Sequence, residues 1–246
     1  MKKFLFALCF LFPSLQVGAQ TGGQKTRAKH ITPPPAAQAF VKQNAQPKVL
    51  NADFKLTLSG VDNKKVSVSW NNPEPVNGVF DDFEAHPDFV INSPGTANWQ
   101  YIDADNQETY TWTSADFPNQ GQRMAFIVFN PSKTSPSTAD WPDIKPFSGQ
   151  KMLIDFTVDG GNNDYLISPE LNFDEDFQVS FRARSYTESY GKERFRVGYS
   201  TTGTRPSDFR FVQKGDYEEA PAAWTLYAYT IPKEARYVCI NCVSHE

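Results

Sequence analysis

Three scarcities narrow what this 246-residue chain can be. Histidine occurs three times, as His30, His86 and His245, and none sits in a recognisable nucleophile motif. Cysteine also occurs three times, and only Cys239 and Cys242 lie outside the first apolar stretch. That C-x-x-C pair has no second Cys/His pair to complete a zinc site and no βαβ pattern to make it a redox motif. In an extended strand the two Cα atoms would be about 10 Å apart, at about 3.3 Å per residue. A disulfide needs less than about 7 Å. Either the strand breaks there or the thiols are unbonded; two small, partly buried strand residues is the preferred reading. The third scarcity is positive charge. Lys and Arg total 24 against 28 Asp and Glu, the net charge is −4, and no basic stripe forms. Nucleic acid and anionic membrane are therefore poor partners.

Long apolar runs are missing too, except at the start. Lys2 and Lys3 precede the apolar stretch Phe4 to Leu15, which is too short to span a bilayer, and Val17-Gly18-Ala19 offers a small-residue cleavage site. Residues 1–19 read as a signal peptide, which predicts a secreted or cell-surface protein. With no later stop-transfer run, no transmembrane segment is expected. Leu8 before Cys9 does not make a lipobox, so no lipid anchor is expected either. Residues 20–49 are polar and basic, contain Pro33-Pro34-Pro35 and read as a flexible linker.

What is present is alternation. Leu56 and Leu58 alternate with polar residues, Asp62 to Lys65 turns the chain, and Val66, Val68 and Trp70 alternate again, which predicts a hairpin. Met152, Ile154, Phe156 and Val158 share one face, as do Val179, Phe181 and Ala183, then Phe195, Val197 and Tyr199, then Val238 and Ile240. No window of helical length carries a 3.6-residue period. Short strands punctuated by Gly, Pro and Asn predict an all-β sandwich or jelly roll. The long stretches 107–122 and 130–150 are expected to be loops at the sheet ends, where function concentrates.

Several segments, in order, resemble the cleaved-adhesin (choice-of-anchor J) domains of Bacteroidetes surface proteins, including the haemagglutinin/adhesin modules of gingipain-type proteases. They are Phe80-Asp81-Asp82-Phe83-Glu84, Trp99 to Asp105, Asn163 to Leu171, Val179 to Arg184, Glu193 to Gly203, Trp224, and Ile231 to Val238. The resemblance implies a jelly-roll β-sandwich over residues 79–246, preceded at 50–78 by a partial fibronectin type III-like strand pair. It also implies a last strand beyond Val243, ending in an Ile-Asp-Asp-Ile-like segment. Here Ser244-His245-Glu246 closes the sequence. The expectation is a C-terminally truncated domain with an unpaired sheet edge and no anchor in this chain.

The resemblance further implies structural calcium, with Glu84 as the best-matching ligand and Asp82 and Asp164 as further ones. Asp81, Asp103 and Asp105 are other acids near strand starts and turns. Calcium gathers about six to eight hard oxygens from loops. An EF-hand is excluded, because Glu108 stands where the loop counted from Asp103 needs glycine. Trp112, Trp141, Tyr186 and Tyr190 fall in or near expected loops, where exposed rings can stack on sugars or anchor proteins. No catalytic residues emerge. Asp103 and Asp105 could share a strand face as a glycosidase pair would, but so do many surface acids. The sequence therefore points to a non-catalytic, adhesin-type domain binding an extracellular protein or glycan. The alternative is a carbohydrate-binding module that accompanies polysaccharide degradation.

Overall fold

A computed structural model describes residues 6–11, 56–62, 65–70 and 79–244. The expected linker, residues 20–49, lies outside the described residues. The chain divides into two compact units, one of Met1–Pro13 with Gly78–Glu246 and the other of Ser14–Asn77. The smaller unit contains the antiparallel hairpin of β2 (Leu56–Asp62) and β3 (Lys65–Trp70), in which Leu58 pairs with Val68 and Leu56 with Trp70.

The larger unit is all-β, with two antiparallel sheets. The first has the order β12-β8-β1-β6-β5, from β1 (Phe6–Leu11), β5 (Ile127–Phe129), β6 (Met152–Asp155), β8 (Phe177–Ala183) and β12 (Thr225–Ile231). The second has the order β10-β9-β13-β7-β4, from β4 (Gln100–Asp103), β7 (Asp164–Ile167), β9 (Glu193–Ser200), β10 (Arg210–Phe211) and β13 (Tyr237–Cys242), with β11 (Glu218–Ala220) also on β9. From β4 onward the chain repeatedly crosses from one sheet to the other, the alternation of a jelly roll.

Alternation along each strand builds the core between the sheets. Leu153, Val179 and Phe181 from the first sheet meet Leu166, Phe195, Val197, Val238 and Ile240 from the second. β6 and β7 are buried throughout, because their outer faces are covered as well. Met152 and Ile154 point into a second cluster with Ile127 and Phe129, roofed by Phe89, Trp112, Phe117 and Ile144. The stretches expected to be loops at the sheet ends thus supply apolar side chains that lie across a sheet face. Tyr165, Ile167 and Cys239 form a third cluster with Phe209 on the outer face of the other sheet. Cys239 and Cys242 are both buried and free, on opposite faces of the unbroken β13.

Candidate metal centre

The polar end of the β4–β7 pair is where acidic residues converge. In the antiparallel register of these strands, Asp103 is directly opposite Asp164. The chain turns just after Asp103, with Asn106 at φ 55°. Asp103 Oδ1 accepts the Asn106 N–H at 2.5 Å, and Asp105 Oδ1 accepts the Gln107 N–H at 3.0 Å. These are Asx turns, in which a short side chain caps its own loop. Asp105 Oδ2 then accepts the Asn163 N–H at 2.8 Å, and the Ala104 N–H donates to Asn163 O at 3.1 Å. The two loops are thereby stapled. One carboxylate oxygen from each of Asp103, Asp105 and Asp164 comes within 4.8 Å of the others.

The charges are poorly compensated. Asp164 is fully buried; its Oδ2 accepts from Asn162 Nδ2 at 3.2 Å, while its Oδ1 has no hydrogen-bond partner. Burial, then the neighbouring Asp155, Asp105 and Asp103, pushes its carboxyl up to about 11. Burial also raises Asp103. Asp155 is raised well above the usual carboxylate range, again by burial first; Asn162 Nδ2 donates to it at 2.6 Å, bridging it to Asp164. Like charges directly opposite one another on adjacent strands destabilise a sheet, and an unpaired buried carboxylate costs more. A hard divalent cation would relieve both. Three carboxylates, one with an orphaned buried oxygen, fit calcium, which takes its remaining oxygens from backbone carbonyls and water. Asp103 and Asp105 are only half-buried, which leaves the cluster reachable from solvent.

An open cavity of about 450 Å³ adjoins the cluster, lined by Asn162, Asn163, Arg196, Asp216 and Tyr217. Asn241 ties it to the acids: its Nδ2 donates to Asp164 O and Asn163 Oδ1, both at 3.2 Å. Its Oδ1 accepts from Arg196 Nε and Nη2. Arg196 is also held over the Phe211 ring, 4.1 Å from its centre. Tyr217 is 40% exposed, with the Arg194 guanidinium 4.4 Å from its ring centre. The cavity therefore offers one exposed ring, a fixed cation, a carboxylate and amides on a rigid sheet end.

The residues singled out in the sequence are scattered around this arrangement. Asp164 is in the cluster; Glu84 and Asp82 are not. Glu84 Oε1 accepts the N–H groups of Gln150 and Lys151, both at 2.8 Å, pinning the chain as it enters β6. Asp82 Oδ1 caps the Glu84 N–H at 3.1 Å. Trp112 corrects its expected role in ligand binding: it is 3% exposed and packs against Trp141 and Tyr186, with ring centres 5.6 and 6.3 Å away. Trp141 and Tyr186 are half-buried on the same cluster. Tyr190 alone of the four is well exposed, at 44%.

Two further features escaped the sequence reading. On the outer side of β8 and β12, Phe147 and Leu226 are exposed, Trp224 lies edge-on to Phe147, and Arg182 covers the Phe147 ring at 4.0 Å. Secondly, Asp81, His86 and Ser93 are joined in the order of a hydrolytic triad: His86 Nε2 is 2.8 Å from Asp81 Oδ2, and His86 Nδ1 is 2.9 Å from Ser93 Oγ. Ser93 and His86 are each 3% exposed, which leaves no room for a substrate carbonyl at Ser93 Oγ. The group works as scaffold instead. Asp81 also accepts from Trp99 Nε1 and the Phe83 N–H, both at 2.8 Å.

Among the described residues, no helix is long and apolar enough to cross a membrane. No family model matches the chain, and comparison with curated proteins finds no match. Among solved structures it is similar to the K1 cleaved adhesin domain of Lys-gingipain from Porphyromonas gingivalis W83. The identity is 18%, over 60% of this chain and 81% of that one, with a TM-score of 0.40. It is also similar to the K3 cleaved adhesin domain of the same protein, with 18% identity over 59% of this chain and 82% of the other and a TM-score of 0.34.

Proposed function

We propose that the larger unit is a non-catalytic, adhesin-type binding domain of an exported protein, which engages an extracellular glycan or protein at the cavity beside a calcium-held loop pair. One observation carries this reading: the orphaned, buried Asp164 carboxylate, with Asp103 and Asp105, lies next to an open cavity lined by amide, carboxylate and guanidinium side chains and bearing an exposed aromatic ring. Calcium bound there would fix the Asp103–Gln107 and Asp159–Asn163 loops. The ligand would meet Tyr217, Asp216, Asn163 and Arg196 on a surface already set in place, which lowers the ordering cost of binding.

The carbohydrate-binding reading gains support from the composition of the cavity. An exposed tyrosine with amide, carboxylate and guanidinium neighbours suits stacking and hydrogen bonding to a sugar. Binding to a glycan array and to immobilised matrix proteins, each with and without calcium, separates the two ligands. Tyr217→Ala should abolish most binding to whichever ligand is bound. Calcium-independent binding unaffected by Tyr217→Ala would sink the proposal. Turnover of a polysaccharide that is lost in Asp103→Asn or Asp105→Asn would replace it with an enzyme.

A further inference from the structure

Arg196 lines the cavity as a cation held by neutral groups. In the β9–β13 register it is directly opposite Asn241, whose Oδ1 accepts from its Nε at 3.0 Å and from its Nη2 at 2.5 Å. The guanidinium lies over the Phe211 ring, with the Tyr165 hydroxyl as a further neighbour. Asn241 also donates to Asn163 Oδ1 and Asp164 O, which ties Arg196 to the loop beside the acidic cluster. Arg194, two residues back on β9, is different, because it is already paired with Glu219 at 3.4 Å. Among the described residues Arg196 forms no ion pair, although Asp216 lines the same cavity. A guanidinium carries five N–H donors in a fixed fork, and Asn241 takes two of them. A half-buried fork fixed in this way is built to meet a planar anion, and a carboxylate matches it best.

We infer that the ligand is a glycan carrying an acidic sugar of the hexuronate type, whose carboxylate is read by Arg196. This rests on the cavity beside Asp164 being the binding site. The rest of the wall limits the class. Asp216 repels a second anion but accepts hydroxyl protons, which a sugar supplies and an acidic peptide side chain does not. Tyr217 offers an exposed ring face on which the apolar side of a pyranose can lie. The volume, about 450 Å³, is within the range of about 300–1,000 Å³ usual for small-ligand sites. A heavily sulfated chain fits poorly. Arg196 is the one cation among the described lining residues, and Asp216, Asp103 and Asp105 would oppose any further negative charge. One carboxylate met by one guanidinium, with hydroxyls around it, matches the wall.

The probes are oligogalacturonate and oligoglucuronate, each beside its carboxyl-reduced neutral form, titrated calorimetrically against the full chain in calcium buffer. Carboxyl reduction should weaken binding of the preferred uronide about tenfold or more, because a charge-assisted hydrogen-bond pair is lost. Arg196→Gln should bring the ratio of acidic to reduced affinity close to one. Arg196→Lys keeps the charge without the fork and should keep part of the ratio. A ratio within one variant does not report a general loss of stability, and the parent's ratio alone decides if Arg196→Gln fails to fold. Equal binding of the acidic and reduced forms, or a ratio that survives Arg196→Gln, would overturn the inference. So would binding of neither uronide, or competition by sulfated oligosaccharide or poly-aspartate as strong as the uronide's own. In each of these cases, binding of another ligand that is lost in Tyr217→Ala leaves the cavity as the site. Uronide binding that Tyr217→Ala leaves intact would overturn both.

Discussion

Asp81 and Asp164 are both buried carboxylates near strand ends, but their surroundings differ. Asp81 Oδ1 accepts from Phe83 N–H, and its Oδ2 accepts from Trp99 Nε1 and is 2.8 Å from His86 Nε2, so both oxygens have partners supplied by the fold. Asp164 receives one hydrogen bond from Asn162, faces Asp103 across the strand pair, and leaves Oδ1 without a partner. The first arrangement is complete in itself and holds the entry of the chain against the core through Trp99. The second is complete only when something positive is added. Satisfaction of buried polar groups, rather than their presence, separates scaffold from site here.

Removing each carboxylate in turn tests that contrast most severely. Asp81→Ala removes the buried acceptor shared by an indole N–H, an imidazole and a backbone N–H, and should cost about 3–5 kcal/mol. Urea unfolding should show the same loss with calcium and with chelator. A loss confined to calcium-loaded protein would place Asp81 in the metal centre and break the comparison.

Calcium itself is the next largest effect. At a calcium concentration about a hundredfold above the dissociation constant, the loaded protein should gain about 2.7 kcal/mol over the chelated one. That is roughly 5–10 °C in melting midpoint for a unit of this size. Asp164→Asn should erase the gain. It should also raise the stability of the chelated protein near neutral pH, because it removes the cost of keeping a buried carboxyl protonated beside Asp155, Asp105 and Asp103. A chelated variant less stable than the chelated parent would show that Asp164 is satisfied without a cation.

The sequence made some of this legible and hid the rest for identifiable reasons. Strands were readable where one face alternates, as at Val179, Phe181 and Ala183, because burial there repeats every second residue. Asp103 and Asp105 were visible as acids at a turn, but their link to Asp164 depends on the β4–β7 register, which joins positions some sixty residues apart. Trp112 looked like a loop residue and is one. Its burial comes from that loop folding over the outer face of β5 and β6, and no local period reports a cover of that kind. The Asp81–His86–Ser93 group was missed because it is held by positive-φ turns at Phe83 and Phe89 rather than by a motif.

Glu84 gives a smaller and sharper test, because the sequence resemblance makes it a calcium ligand and the geometry makes it a loop pin. Glu84→Gln keeps an oxygen in place for Gln150 and Lys151 but loses the charge on two hydrogen bonds, and should cost about 1 kcal/mol. Its calcium titration should match that of the parent. A tenfold weaker affinity would return Glu84 to the metal and imply a second cation outside the Asp164 cluster.

The smallest effect on stability should be the largest on binding. Tyr217 is exposed, and the half-exposed Arg194 covers its ring, so Tyr217→Ala should change stability by no more than about 0.5 kcal/mol. If the cavity takes the ligand, the same change should weaken binding tenfold or more, as truncation of a central aromatic anchor does. Phe147→Ala serves as the matched control on the opposite sheet: it removes a comparably exposed ring under Arg182 and should leave binding unchanged. The reverse result, with binding lost at Phe147 and kept at Tyr217, would move the ligand to the β8–β12 face. Calcium would then be a stabiliser remote from recognition, and the unsatisfied carboxylate would mark where the fold is completed rather than where it binds.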